Sequence, residues 1–214
     1  MNLVFPRLYA ILDASLLTAS EMELAETLAE SGVELIQYRN KNATSRDLFE
    51  ISRKLSAHMS KRSVRFIVND RPDIAMLCGA GGVHVGQEDL GVEQARAICG
   101  AGRWVGISTH TLEQVAAADR TSADYIAFGP IFPTSTKQNH DPVVGTDLLR
   151  RVRRMTRKPL VAIGGITVER AAEVYDAGAD SLAVARDLIV AKDPGARVRE
   201  YLQVAARMPS RTME

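Results

Sequence analysis

Residues 159–186, PLVAIGGITVERAAEVYDAGADSLAVAR, read as one strand, one helix and a second strand in immediate succession. The runs PLVAIGG and SLAVAR are apolar without alternation, as strands buried on both faces of a parallel sheet must be. Between them Ala171, Val174 and Tyr175 fall at helical spacing, and Gly178 follows where a helix ends on a left-handed residue. Two parallel strands joined through a helix form a βαβ unit, and the unit repeats upstream. LYAILD, VELIQYR, RFIVND, GVHVG, WVGIS and YIAFGP are further apolar runs of strand length. Helical patterns separate them: Leu24/Leu28, Leu48/Ile51/Leu55, Ala75/Met76, Val92/Ala95/Ile98, Val115/Ala118 and Leu148/Val152/Met155. Gly32, Gly79 and Gly100 stop three of these helices just before a strand.

About eight strands at intervals of roughly 20–25 residues, followed by a last helix around VREYLQVAA, predict an α/β fold: a (β/α)₈ TIM barrel as a single domain over 1–207. A doubly wound open sheet is the competing architecture. Gly79-Ala80-Gly81-Gly82 is no dinucleotide fingerprint, because it ends a helix and opens a strand, the reverse of the required order. The tail 208–214 is expected to fray.

Composition narrows the function. Of 214 residues, 46% are hydrophobic and 25% charged, ordinary globular values that exclude general disorder. Lys+Arg 27 against Asp+Glu 26 leaves a net charge of +1, so no global field attracts a nucleic-acid backbone or an acidic bilayer, and an anion must be bound locally. No apolar run reaches the length of a membrane span, and Pro6, Arg7 and Asp13 interrupt the N-terminal segment where a signal peptide would be apolar. The expectation is a cytoplasmic protein with small-molecule partners; the oligomeric state is left open. Cys78 and Cys99 each precede a glycine at a helix end and read as reduced, packed thiols.

In such a barrel the chemistry gathers where strands run into βα loops. Three groups of residues stand there. Gln37, Arg39 and Lys41 alternate along the second strand, so at period two they share a face; a guanidinium fork beside an ammonium suits a phosphate or diphosphate, or else a rim salt bridge. Asp70 and Asp89 close successive strands and can approach one Mg²⁺, although Asp70 is also placed to cap the helix that opens at Arg71-Pro72. GPIFPTSTK at 129–137 is a rigid, donor-rich loop ending in Lys137, suited to a phosphate. Lys137 as a Schiff-base amine lacks the apolar setting that would lower its pKa. The Gly-Gly turn at 164–165 and the end of the eighth strand match the phosphate site common to the last two loops of such barrels.

Other features read more plainly. Arg150, Arg151, Arg153, Arg154, Arg157 and Lys158 flank an apolar stripe and read as a solvated face. His84 and His110 lie toward the barrel mouth without a second ligand at zinc spacing, and His110 stays open as an acid or base.

Taken in order, QYRNK (37–41), VNDRPDIA (68–75), GVHVGQEDL (82–90), GISTHT (106–111), YIAFGPIFPTSTK (125–137) and AIGGI (162–166) resemble the motifs of the thiamine phosphate synthase family. The resemblance implies Mg²⁺-dependent joining of hydroxymethylpyrimidine diphosphate to a thiazole phosphate, with CO₂ lost when the thiazole carries a carboxylate. By that resemblance Asp70 and Asp89 would hold Mg²⁺, and Arg39, Lys41, Asn69 and Lys137 would bind the diphosphate. Gln37 and Ser108 would orient the pyrimidine diphosphate, and Thr134, Thr136 and Gly165 would take the thiazole phosphate. The catalytic group would be Arg39, Lys41, Ser108 and Lys137. Where the family usually has serine after the last strand this chain has Arg186, expected to meet the same phosphate or to fill its pocket. A thiazole tautomerase of the same fold, centred on His110, and a non-catalytic phosphate-ligand-binding barrel are the alternatives.

Overall fold

The structure is a computed structural model that describes residues 5–134 and 142–208. Eight strands close into a parallel barrel: β1 (Leu8–Asp13), β2 (Leu35–Arg39), β3 (Arg65–Asn69), β4 (Gly82–Val85), β5 (Trp104–Thr109), β6 (Tyr125–Phe128), β7 (Leu160–Ile163) and β8 (Ser181–Val184). Pairing of β1 with β8 completes the ring and excludes the open doubly wound sheet. Helices follow each strand: α1 (Glu21–Glu30), α2 (Ser45–Ser60), α3 (Pro72–Leu77), α4 (Val92–Cys99) and α5 (Leu112–Asp119) in the first half. α6 (Gly145–Arg153), α7 (Val168–Asp176), a short α8 (Arg186–Ile189) and α9 (Pro194–Arg207) complete the described chain. The single turn of α8 and a 3₁₀ turn at Ala14–Leu16 are too short to leave a periodic pattern in the sequence.

Period-two alternation sorts each strand into two faces. On β1, Leu8, Ala10 and Leu12 pack outward into the layer between sheet and helices, while Tyr9 faces the barrel interior with Leu35, Ile67, Trp104, Tyr125 and Val161. Phe5 stacks on Trp104 (centroids 5.1 Å apart) and fills the end of the barrel where the strands begin. Among the described residues the interior is therefore closed below by aromatic packing, and a cavity opens where the strands end. Gly32, Gly79 and Gly178 take positive φ at the C′ position of their helices, where glycine is favoured, and Gly100 takes positive φ as the C-cap of α4.

Two details correct the sequence reading. The buried stripe of α6 is Leu149 and Val152, with Met155 39% exposed beyond the helix end. In the basic segment around it, Arg153 pairs with Asp180 at 2.6 Å and Lys158 Nζ donates to the carbonyls of Thr121 and Ala123. These two cations tie loops together beneath the barrel instead of facing solvent. Cys78 and Cys99 are buried free thiols, and burial raises both above the usual thiol pKa.

Candidate active site at the barrel mouth

A cavity of about 480 Å³ opens at the C-terminal ends of the strands. Of the residues singled out in the sequence, Gln37, Arg39, Lys41, Asn69, Asp70, Asp89, Ser108, Thr134, Gly165 and Arg186 all line it. Thr136 and Lys137 lie outside the described residues.

The cations at the end of β2 line the cavity and also make the salt bridges that the sequence left open. Asp13 and Arg39 are register partners on β1 and β2, and Arg39 Nη1 lies 2.5 Å from Asp13 Oδ2. Asp13 is only 2% exposed, and its other oxygen accepts from the amide and hydroxyl of Ser15. The internal carboxylate thus cancels the charge of Arg39 and fixes its orientation, leaving it a directional donor more than a source of net charge. Lys41, half exposed, lies 2.9 Å from Asp70 Oδ2.

Asp70 does not cap α3. Its backbone is left-handed (φ 63°), a conformation aspartate tolerates better than most residues. The N-cap position belongs to Arg71, without a side-chain cap bond. The carboxylate turns instead to the mouth, within hydrogen-bonding reach of Asp89 and Lys41. Burial raises the Asp70 pKa; Asp89 pushes the same way and Lys41 opposes both. Asp89 is held by the tight turn after β4, where the Gly86 amide donates to its Oδ2 at 2.8 Å. Around the ends of β1 to β4 the wall therefore carries Arg39 and Lys41 against Asp13, Asp70 and Asp89, one negative charge in excess.

The opposite wall has the reverse balance. Gly164 and Gly165, both at positive φ, form the turn after β7. A Cβ on Gly165 would lie 2.5 Å from the Pro133 carbonyl oxygen, so only glycine lets the β6 loop approach. Arg186 lines this side, and Arg170 joins it from the first turn of α7, its guanidinium 4.5 Å from the centre of the Phe132 ring. Asp187 also reaches the wall, but its carboxylate accepts from Tyr201 and pairs with Arg197. His110 completes the rim with Nδ1 2.5 Å from the Gly129 carbonyl oxygen; a carbonyl only accepts, so Nδ1 carries the proton.

Below the mouth lies a hydrogen-bonded row that the sequence reading missed. Gln37 Nε2 is 2.6 Å from the Tyr9 hydroxyl, which is 3.0 Å from that of Tyr125. His84 bridges Tyr125 (Nδ1, 3.0 Å) and Ser108 Oγ (Nε2, 2.8 Å). Tyr9 and Tyr125 sit inside apolar runs and pass as core residues by composition. The available signal was periodicity, since Tyr9 shares the inward face with Asp13 two registers on.

The sequence model described as thiamine monophosphate synthase matches residues 8–188. The thiamine-phosphate synthase of Koribacter versatilis is 49% identical over 208 residues, covering 95% of this chain and 97% of the relative. That of Methanocella arvoryzae is 40% identical, covering 94% and 95%. Among solved structures, the thiamine phosphate pyrophosphorylase from Pyrococcus furiosus superposes with a TM-score of 0.86 at 34% identity, covering 94% of this chain and 95% of that one. A 3-hexulose-6-phosphate synthase at 19% identity and TM-score 0.68 shares the fold. With a match across most of its length and full-length relatives well above 30% identity, this chain belongs to the thiamine monophosphate synthase family.

Proposed function

We propose that the chain is a transferase that joins hydroxymethylpyrimidine diphosphate to a thiazole phosphate, releasing diphosphate and forming thiamine phosphate. The observation that carries this is the carboxylate pair Asp70–Asp89, drawn together beside Lys41 at the cavity mouth. Two acidic groups in contact, which leave this wall one charge negative, would repel a diphosphate. The same pair fits Mg²⁺, which takes one or two carboxylates and fills its remaining positions with water and phosphate oxygens. Held by Asp70 and Asp89, the ion would supply neutralisation of the charge that grows on the departing diphosphate.

The remaining work falls to side chains. Arg39, oriented by Asp13, would donate to diphosphate oxygens, with Lys41, Asn69 and Lys137 around them. Gln37 and Ser108 would hold the pyrimidine. The C–O bond would break with its electron pair leaving on diphosphate, the pyrimidine ring would stabilise the carbocation, and the thiazole nitrogen would capture it. A carboxylated thiazole would then lose CO₂. No protein nucleophile is needed, so positioning dominates. Thr134, Thr136, Gly165 and Arg186 would take the thiazole phosphate. The substrates would be free small molecules and the reaction cytoplasmic. Among the described residues no helix is long and apolar enough to cross a membrane.

Purified protein mixed with both substrates should release diphosphate only when Mg²⁺ is present. No metal-dependent release would overturn the synthase reading, and thiazole isomerisation alone would select a tautomerase. A second expectation concerns Arg186. It lines the cavity beside the Gly-Gly turn, and its Cβ-truncated variant Arg186→Ala should raise KM for the thiazole phosphate about tenfold or more, the loss of one charged hydrogen bond. An unchanged KM would show that Arg186 does not meet that phosphate.

A further inference from the structure

Five buried polar side chains from five different strands form one continuous row across the barrel: Gln37, Tyr9, Tyr125, His84 and Ser108. Four of the five, Gln37, Tyr9, His84 and Ser108, line the cavity, and Tyr125 links them from outside its lining. From the direction these bonds must take, we infer that Tyr125 and His84 are positioning residues that turn the Ser108 hydroxyl into a hydrogen-bond donor aimed at the pyrimidine diphosphate. The inference rests on the reading above, in which Gln37 and Ser108 face that substrate.

The direction follows from donor and acceptor capacity. Gln37 Nε2 donates to the Tyr9 oxygen at 2.6 Å. Tyr9 must then send its own proton onward, and the Tyr125 oxygen at 3.0 Å receives it. Tyr125 has one proton left to give, and His84 Nδ1, 3.0 Å away, accepts it. An imidazole that accepts at Nδ1 carries its proton at Nε2, so Nε2 donates to Ser108 Oγ at 2.8 Å. Ser108 thereby becomes an acceptor toward His84, and its O–H is turned to donate into the cavity it lines, where a ring nitrogen or phosphate oxygen of the substrate can accept it. Without His84 the hydroxyl could rotate freely between donor and acceptor roles.

Packing keeps the row in place. The His84 and Tyr125 rings stack with centroids 5.5 Å apart, and Tyr9 meets Tyr125 edge-on at 5.9 Å. Gly106, the register partner of Tyr125 on β5, makes room for that ring. Burial holds both phenols well above their ordinary pKa, so each keeps the proton it passes along.

The test has two arms. In ¹⁵N-histidine NMR of the unliganded wild-type chain, with the His84 signals assigned by their loss in His84→Gln, Nδ1 should be unprotonated and Nε2 protonated. A protonated Nδ1 would overturn the inference, and because this measurement needs no turnover it stands apart from the synthase reading. In the second arm, Tyr125→Phe keeps the ring and removes the proton that enters Nδ1. It should abolish the single-tautomer signature and raise KM for the pyrimidine diphosphate about tenfold, leaving KM for the thiazole phosphate unchanged. Equal shifts in both constants, or no shift, would reduce the row to a structural element and defeat the inference.

Discussion

Replacing Asp89 by asparagine lowers the rate of diphosphate release by about 10²- to 10³-fold, the range seen when one preorganised electrostatic group is removed from a reacting centre. The asparagine oxygen can still accept from the Gly86 amide, which now bonds Asp89 Oδ2 at 2.8 Å, so the turn after β4 keeps its shape. On the proposed reading, what disappears is the negative charge that would balance a divalent ion beside Asp70. The loss should appear in kcat under saturating Mg²⁺, with a circular dichroism spectrum like that of the wild type. Asp70→Asn should behave similarly, with one difference. Lys41 loses its ion-pair partner at 2.9 Å and gains freedom to follow the diphosphate, which partly offsets the loss. Wild-type turnover by Asp89→Asn would contradict a role for the pair.

The second large effect comes from a residue that touches no substrate. Gly106 lies beside Tyr125 in the β5–β6 register, and a Cβ there would sit 2.0 Å from Tyr125 Cζ and 2.4 Å from its hydroxyl oxygen. The neighbouring barrel wall leaves the ring little room to retreat, since Tyr125 also packs on Phe5 and Trp104. Gly106→Ala should therefore cost about 3 kcal/mol, at the upper end for overpacking a core, and lower Tm by about 10 °C in a domain of this size. It should also break the Tyr125–His84 bond, so the fraction that remains folded turns over more slowly than the wild type. A melting temperature equal to that of the wild type would show that the tyrosine is not confined as described.

The fold was legible because it rests on local patterns. Continuous apolar runs, helical spacing and stop glycines each depend on a few neighbouring residues, and together they specify strands, helices and their order. The approach of Asp70 to Asp89 was legible for a related reason, since β3 and β4 are neighbours and the two residues stand in the segments that follow them, Asp70 directly after β3 and Asp89 in the turn after β4. Side-chain pairing was not. The Asp13–Arg39 pair depends on the β1–β2 register, and that register is fixed by how the closed barrel staggers, not by either strand alone. Asp70 looked equally fit to cap α3, and only its left-handed backbone decides between the two roles. Arg170 was hidden in the first turn of a helix whose exposed face carries charge anyway. The row from Gln37 to Ser108 draws on five strands at one level of the interior, so no single segment announces it.

The proposed function has one central requirement: the Asp70–Asp89 pair would tolerate a diphosphate only in company with a divalent cation. Electron paramagnetic resonance of Mn²⁺ as a stand-in for Mg²⁺, titrated into the protein with inorganic diphosphate present, measures this directly. One immobilised Mn²⁺ per chain, abolished in Asp89→Asn, is the predicted result. Equal Mn²⁺ uptake by the wild type and by the Asp70→Asn, Asp89→Asn double variant would contradict the account.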